Sequence, residues 1–92
     1  MSVQETISRK LTEELAPQSL NVIDESHLHA GHAGAREGGE SHFRIHVIAE
    51  RFDGMTRVAR QRLINQILRD ELAGPVHALA MKTETPAEAN AG

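Results

Sequence analysis

Six histidines fall in a chain of 92 residues that contains no cysteine. His27, His29 and His32 sit close together, His42 and His46 share an alternating stretch, and His77 follows much later, behind Gly74-Pro75. Imidazole is the commonest neutral metal ligand and the one side chain poised to change charge near neutral pH. The chemistry on offer is therefore ligation or proton exchange. His27-x-His29-x-x-His32 lacks a specific zinc spacing such as the helical H-E-x-x-H. It reads either as a solvated polar loop with adventitious metal affinity or as a set of ligands. His77, placed in a third strand between Val76 and Ala78, reads either as a satisfied structural histidine or as a ligand. His42 and His46, on the strand side away from Phe43, read as exposed or strand-pairing residues.

Other chemistry finds little support. Without cysteine there is no disulfide framework, no thiolate nucleophile and no self-sufficient iron–sulfur or Cys-type zinc site. Any thiolate-held cofactor must take its sulfur from a partner. No G-x-S-x-G elbow, H-E-x-x-H or Walker-type loop occurs. Ser26 beside His27 resembles a nucleophile–base pair only along the chain, and the adjacent Asp24 and Glu25 point to opposite faces of an extended backbone. Nothing here favours an enzyme.

The elements that position these residues follow from periodicity. Ser2 and Glu5 form an S-x-x-E capping box, and Val3, Ile7, Leu11 and Leu15 recur at i+4, which predicts a helix over about 2–15 ended by Ala16-Pro17. Leu20 to Asp24 reads as a short strand. Residues 25–40, rich in glycine and alanine, cannot bury a stripe of either period and read as a long loop, a feature more often functional than incidental. From His42 to Ala49, Phe43, Ile45, Val47 and Ala49 alternate with His42, Arg44, His46 and Ile48, as in a half-buried strand antiparallel to the first. Phe52-Asp53-Gly54 turns out of it.

Thr56 or Asp53 caps a second helical region over about 56–72, whose apolar side is Val58, Ile64, Ile67, Leu68 and Leu72, stopped by Gly74-Pro75. Val76 to Met81 reads as a third strand, joined in parallel to one neighbour through the helical crossover. The expectation is one small α+β (α/β) domain over 1–82, in the order helix–strand–strand–helix–strand, followed by a frayed tail over 83–92. Thr85-Pro86-Ala87-Glu88 has the composition of a cap, but little chain remains behind it to bury.

The net charge is −3, yet residues 44–69 carry six arginines against two acids. Arg57, Arg60 and Arg62 either solvate the outer side of a helix or present a basic surface to an acidic partner, to glutathione carboxylates or to nucleic acid. The overall acidity argues against general phosphate binding. No run reaches transmembrane length, and the first residues match neither a signal nor a transit peptide. The chain is expected to be complete and cytoplasmic, with no membrane role, and a monomer or weak dimer when alone.

Several spaced tetrapeptides in order resemble the BolA family over about Ile7 to Pro86. They are Asp24-Glu25-Ser26-His27 with the loop to Gly34, Gly39-Glu40-Ser41-His42-Phe43, Phe52-Asp53-Gly54-Met55, Arg60-Gln61-Arg62-Leu63, Glu71-Leu72, and Gly74-Pro75-Val76-His77-Ala78-Leu79 leading to Thr85-Pro86. One departure is Arg60-Gln61-Arg62 where the family usually reads Arg-His-Arg. The resemblance implies a class II KH-like three-stranded mixed sheet covered by helices. It also implies a monothiol glutaredoxin as partner, sharing a 2Fe–2S cluster held together with glutathione. In that assembly His77 looks like the C-terminal cluster-binding histidine, His29 matches the variable loop ligand, and His32 is its fallback.

The cysteine-free composition fits such sharing. Neutral imidazole in place of thiolate lowers the negative charge on a cluster and raises its reduction potential. Imidazole ligation competes with protons, so it weakens below roughly pH 6.5. Two imidazoles that share one iron at about 2 Å each bring their nitrogens within roughly 3–4 Å. Two other roles stay open: a DNA-binding regulator using the KH-like fold and the arginines, and mononuclear iron or zinc buffering by the loop histidines. KH domains grip nucleic acid at a G-x-x-G loop, of which Gly54-Met55-Thr56-Arg57 keeps only the first glycine.

Overall fold

In the first helix the apolar stripe and its cap decide the boundaries. The computed structural model describes residues 2–25 and 41–91, beginning with α1 (Val3–Leu15). Ser2 Oγ accepts the Glu5 N–H at 3.0 Å, and Ile7, Leu11 and Leu15 are buried. Ala16 ends the helix in the left-handed region at φ 44°, and its N–H donates to the Thr12 carbonyl.

Two strands follow, β1 (Ser19–Asp24) and β2 (His42–Ile48), antiparallel with Leu20 opposite Val47 and Val22 opposite Ile45. A 3-10 turn, Glu50–Phe52, buries Phe52 and leads to Gly54. Gly54 has φ 78°, and a Cβ there would meet nothing within 4 Å. Glycine is favoured at 54 by backbone conformation and not by space.

The second helical region divides into α2 (Arg57–Ile67) and α3 (Arg69–Ala73), hinged at the buried Leu68. Thr56 Oγ1 accepts the Ala59 N–H at 3.1 Å, so Thr56 and not Asp53 is the cap. The apolar side expected for this helix needs a correction at its start. Val58 is 54 % exposed, whereas Arg60 is buried in line with Ile64 and Leu68. Positions 60, 64 and 68 share one helical face, and the core lies under that face.

β3 (Ala78–Glu84) runs parallel to β2, from Ala78 opposite His42 to Glu84 opposite Ile48, in a sheet ordered β1-β2-β3. It starts later and runs further than the expected Val76–Met81. Val76 is buried and gives its N–H to Glu71, which uses residues 74–77 to close the turn. Phe43, Ile45, Val47 and Ala49 join Ile7, Leu11, Leu15, Ile64 and Leu68 in one core.

Residues 83–91, expected to fray, are organised in the structure. Thr83 and Glu84 complete β3, and α4 (Pro86–Ala91) follows. Thr85 and Glu88 form a reciprocal capping box: the Glu88 N–H donates to Thr85 Oγ1 at 3.1 Å and the Thr85 N–H to Glu88 Oε1 at 2.8 Å. Arg60 reaches across to Glu88 with two bonds of 2.7 and 3.2 Å. That long-range pair holds the short helix, and no local pattern reveals it.

Candidate histidine site at the head of the sheet

His77 lies immediately before β3 and not within it, so it is free of the strand's alternation. Its backbone N–H donates to the Ser41 carbonyl at 2.7 Å, and the Ala78 N–H reaches the same oxygen at 3.2 Å. The peptide is thus pinned while the side chain stays exposed. Among the described residues no hydrogen bond to its ring is present.

The neighbouring imidazole is His42. The two ring centres are 5.4 Å apart and the planes are inclined at 54°. His42 is buried, with Nδ1 at 2.9 Å from the hydroxyl of buried Ser41. Of its two expected readings, exposed or strand-pairing, His42 follows the second: it pairs in β2 opposite Ala78 and is buried. Alternation assigns His42 to the solvent side, but the turn into β3 covers the first residue of β2. No local spacing signals this: it follows from the β2–β3 register, in which His42 stands opposite Ala78, next to His77.

His29 and His32, with His27, lie outside the described residues. The residues on either side of them, Glu25 and Ser41, are described. The Glu25 N–H donates to the His42 carbonyl at 2.8 Å, and Ser41 is the residue that His77 grips. Glu25 and Ser41, which flank residues 26–40, therefore lie at the same end of the sheet as His77.

His46 belongs elsewhere. Its Nε2 is 2.6 Å from Glu84 Oε1, a half-buried tie between β2 and β3. Arg57 and Arg62 are exposed on α2. Arg60 does not belong with them on a surface: it bonds Met55 and Thr83 carbonyls as well as Glu88, and stacks 5.7 Å above Phe52. Arg57 and Arg60 line an open cleft with Lys82, Glu84 and Glu88, so acids offset the cations there.

Chemically, the histidine end offers imidazole and no thiolate. Among the described residues no three His, Cys, Asp or Glu side chains converge on one point. No helix among the described residues is long and apolar enough to cross a membrane.

An uncharacterised Sinorhizobium protein is 48% identical over 89 residues, with 96% of each chain covered. A Vibrio cholerae protein named DNA-binding transcriptional regulator BolA is 48% identical over 86 residues, covering 94% of this chain and 77% of that one. The solved BolA domain of SufE1 from Arabidopsis thaliana superposes with a TM-score of 0.86 at 42% identity, covering 96% of both chains. The profile described as BolA-like protein matches residues 11–88, which include β1, β2, both parts of the crossover, β3 and His77. The chain belongs to the BolA-like family.

Proposed function

We propose that this chain is a non-enzymatic partner protein that co-ligates a 2Fe–2S cluster with a monothiol glutaredoxin, in cytoplasmic iron–sulfur handling or iron homeostasis. The observation that carries the reading is the exposed His77 ring, held on a pinned backbone at the end of the sheet where Glu25 and Ser41 flank the His-bearing residues 26–40. His77 supplies one imidazole, and His29, with His32 as the fallback, the second. The absence of cysteine assigns the thiolates to glutaredoxin and glutathione. When bound, the cluster supplies electron-transfer capacity at a potential raised by imidazole ligation. The chain's own part is to present neutral nitrogen donors and to exclude a second set of thiolates.

The test mixes the full chain with cluster-loaded glutaredoxin and records visible absorption and circular dichroism. Both spectra should change on mixing, and His77→Ala should abolish the change. An unaltered spectrum, or one indifferent to His77→Ala, rejects the reading.

A second reading, DNA binding, is favoured by the name of the Vibrio cholerae relative and by the exposed guanidinium groups of Arg57 and Arg62. It predicts DNA affinity that falls as salt rises. Undetectable or salt-insensitive binding rejects it.

A further inference from the structure

The two outer edges of the sheet are finished differently. On β1 the Val22 carbonyl accepts the Gln4 side-chain amide at 2.7 Å. On β3 the backbone alternates: Ala78 gives its N–H to Ser41, and Glu84 takes the Ala49 N–H. In this parallel register residues 78, 80, 82 and 84 turn their N–H and C=O groups to β2. Leu79, Met81 and Thr83 turn theirs outward. Arg60 caps the Thr83 carbonyl at 3.2 Å. Among the described residues, the outward N–H and C=O groups of Leu79 and Met81 meet no partner. Such a row of alternating donors and acceptors is matched by another extended backbone.

The same stretch of β3 borders the cleft that includes Met55, Arg57, Arg60, Lys82, Glu84 and Glu88, three cations against two acids. Glu88 closes on Arg60. Glu84 stands 2.6 Å from His46 Nε2 and 4.0 Å from Lys82 Nζ. The positive remainder falls on Arg57 and Lys82, both exposed. Lys82 shares the open face of the sheet with His46, whereas Met81, like Met55, packs against the core. Side chains of an added strand would alternate between those two sides. A second copy of this chain is a poor occupant, because it brings the same positive surplus to the same edge, and an edge lysine works against self-pairing.

We propose that β3 is a docking edge for an acidic, extended peptide segment of a partner protein, which adds as a fourth strand along Ala78–Lys82 and sets carboxylates against Arg57 and Lys82. The site uses neither His77 nor residues 26–40, and it does not rest on the cluster reading.

The experiment titrates the full chain with a capped octapeptide of valine and threonine bearing two adjacent glutamates at its centre, read by amide ¹H–¹⁵N spectra and hydrogen exchange. The Leu79 and Met81 amides should shift and become protected together, while those of β1 stay in place. N-methylating alternate residues of the peptide should abolish binding in one register and spare it in the other, because only one set of its N–H groups faces β3. Lysines in place of the two glutamates should remove the response. Lys82→Glu and Arg57→Glu, both at exposed positions, should each weaken binding by at least about fivefold, the scale of an exposed ion pair.

The variants are read where their amide spectra remain native, and the unsubstituted chain with the four peptides decides in any case. Silence of the Leu79 and Met81 amides, binding that survives N-methylation in both registers, or equal affinity for the lysine peptide each overturns the proposal. So does a shift of those two amides with protein concentration alone, which assigns the edge to a second copy.

Discussion

A guanidinium removed from water must find acceptors for its donors, and Arg60 meets the carbonyls of Met55 and Thr83 and both oxygens of Glu88. The consequence for Glu88 is a carboxyl lowered from 4.5 to about 2, chiefly by the Arg60 hydrogen bonds and then by the Thr85 N–H. A lowered folded-state value means that the stabilising contribution is complete above the ordinary carboxylate range, declines as pH falls from there, and is lost below about 2. Carboxyl ¹³C titration should show the Glu88 midpoint near the low value, and Arg60→Lys, which cannot form the fork, should move it upward. The two histidines at the head of the sheet should separate by the same criterion of exposure. His77→Ala should change stability by no more than about 0.5 kcal/mol in urea unfolding, whereas His42→Ala, which removes a buried hydrogen-bonded ring, should cost about 1–3 kcal/mol.

Elements with an unbroken local pattern were legible, and those fixed by distant partners were not. The stripe of Ile7, Leu11 and Leu15 with the Ser2 cap gave α1, and the alternation Phe43, Ile45, Val47 gave β2, because each signal lies within one element. At the start of α2 hydropathy marks Val58 as core and Arg60 as surface, and the structure has them the other way round. Hydropathy alone favours that choice, and only the stacking on Phe52 and the reach to Glu88 reverse it. The break at Leu68 has no glycine or proline to announce it. Two measurements suit this scale. Ala16→Gly should raise stability by up to about 1 kcal/mol, because alanine is strained at φ 44°. Ile64→Ala should lower it by about 2–5 kcal/mol, the cost of a cavity in a small aliphatic core. Both are read from the denaturant midpoint.

For the whole molecule, the charge distribution sets how strongly DNA can be held. The chain carries −3 overall, and with Arg60 turned inward only Arg57 and Arg62 remain of the basic trio on α2. Two phosphate contacts imply a slope of log K against log salt of about −2, and Arg57→Ala should reduce its magnitude by about 1. Filter binding across a salt series measures this directly. The directions of the three strands were legible, since a β-strand, a helical crossover and a return strand admit few arrangements, whereas the choice of β2 as the neighbour of β3 was not. The site was only half legible: His77 stood out by its neighbours in sequence, while its closeness to His42 depends on a parallel register that no local spacing encodes.

The clasp between Glu25, His42, Ser41 and His77 has a consequence for how such a chain can diversify. The sheet itself closes the gap between residues 25 and 41, so whatever is spliced between them inherits a ready-made gateway. Between Glu25 and Ser41, a glycine–serine insert should cost only about 0.6 kcal/mol more in closure entropy than one of half its length. Donor groups can therefore be exchanged at that gateway like bits in a chuck, with the tool holder undisturbed.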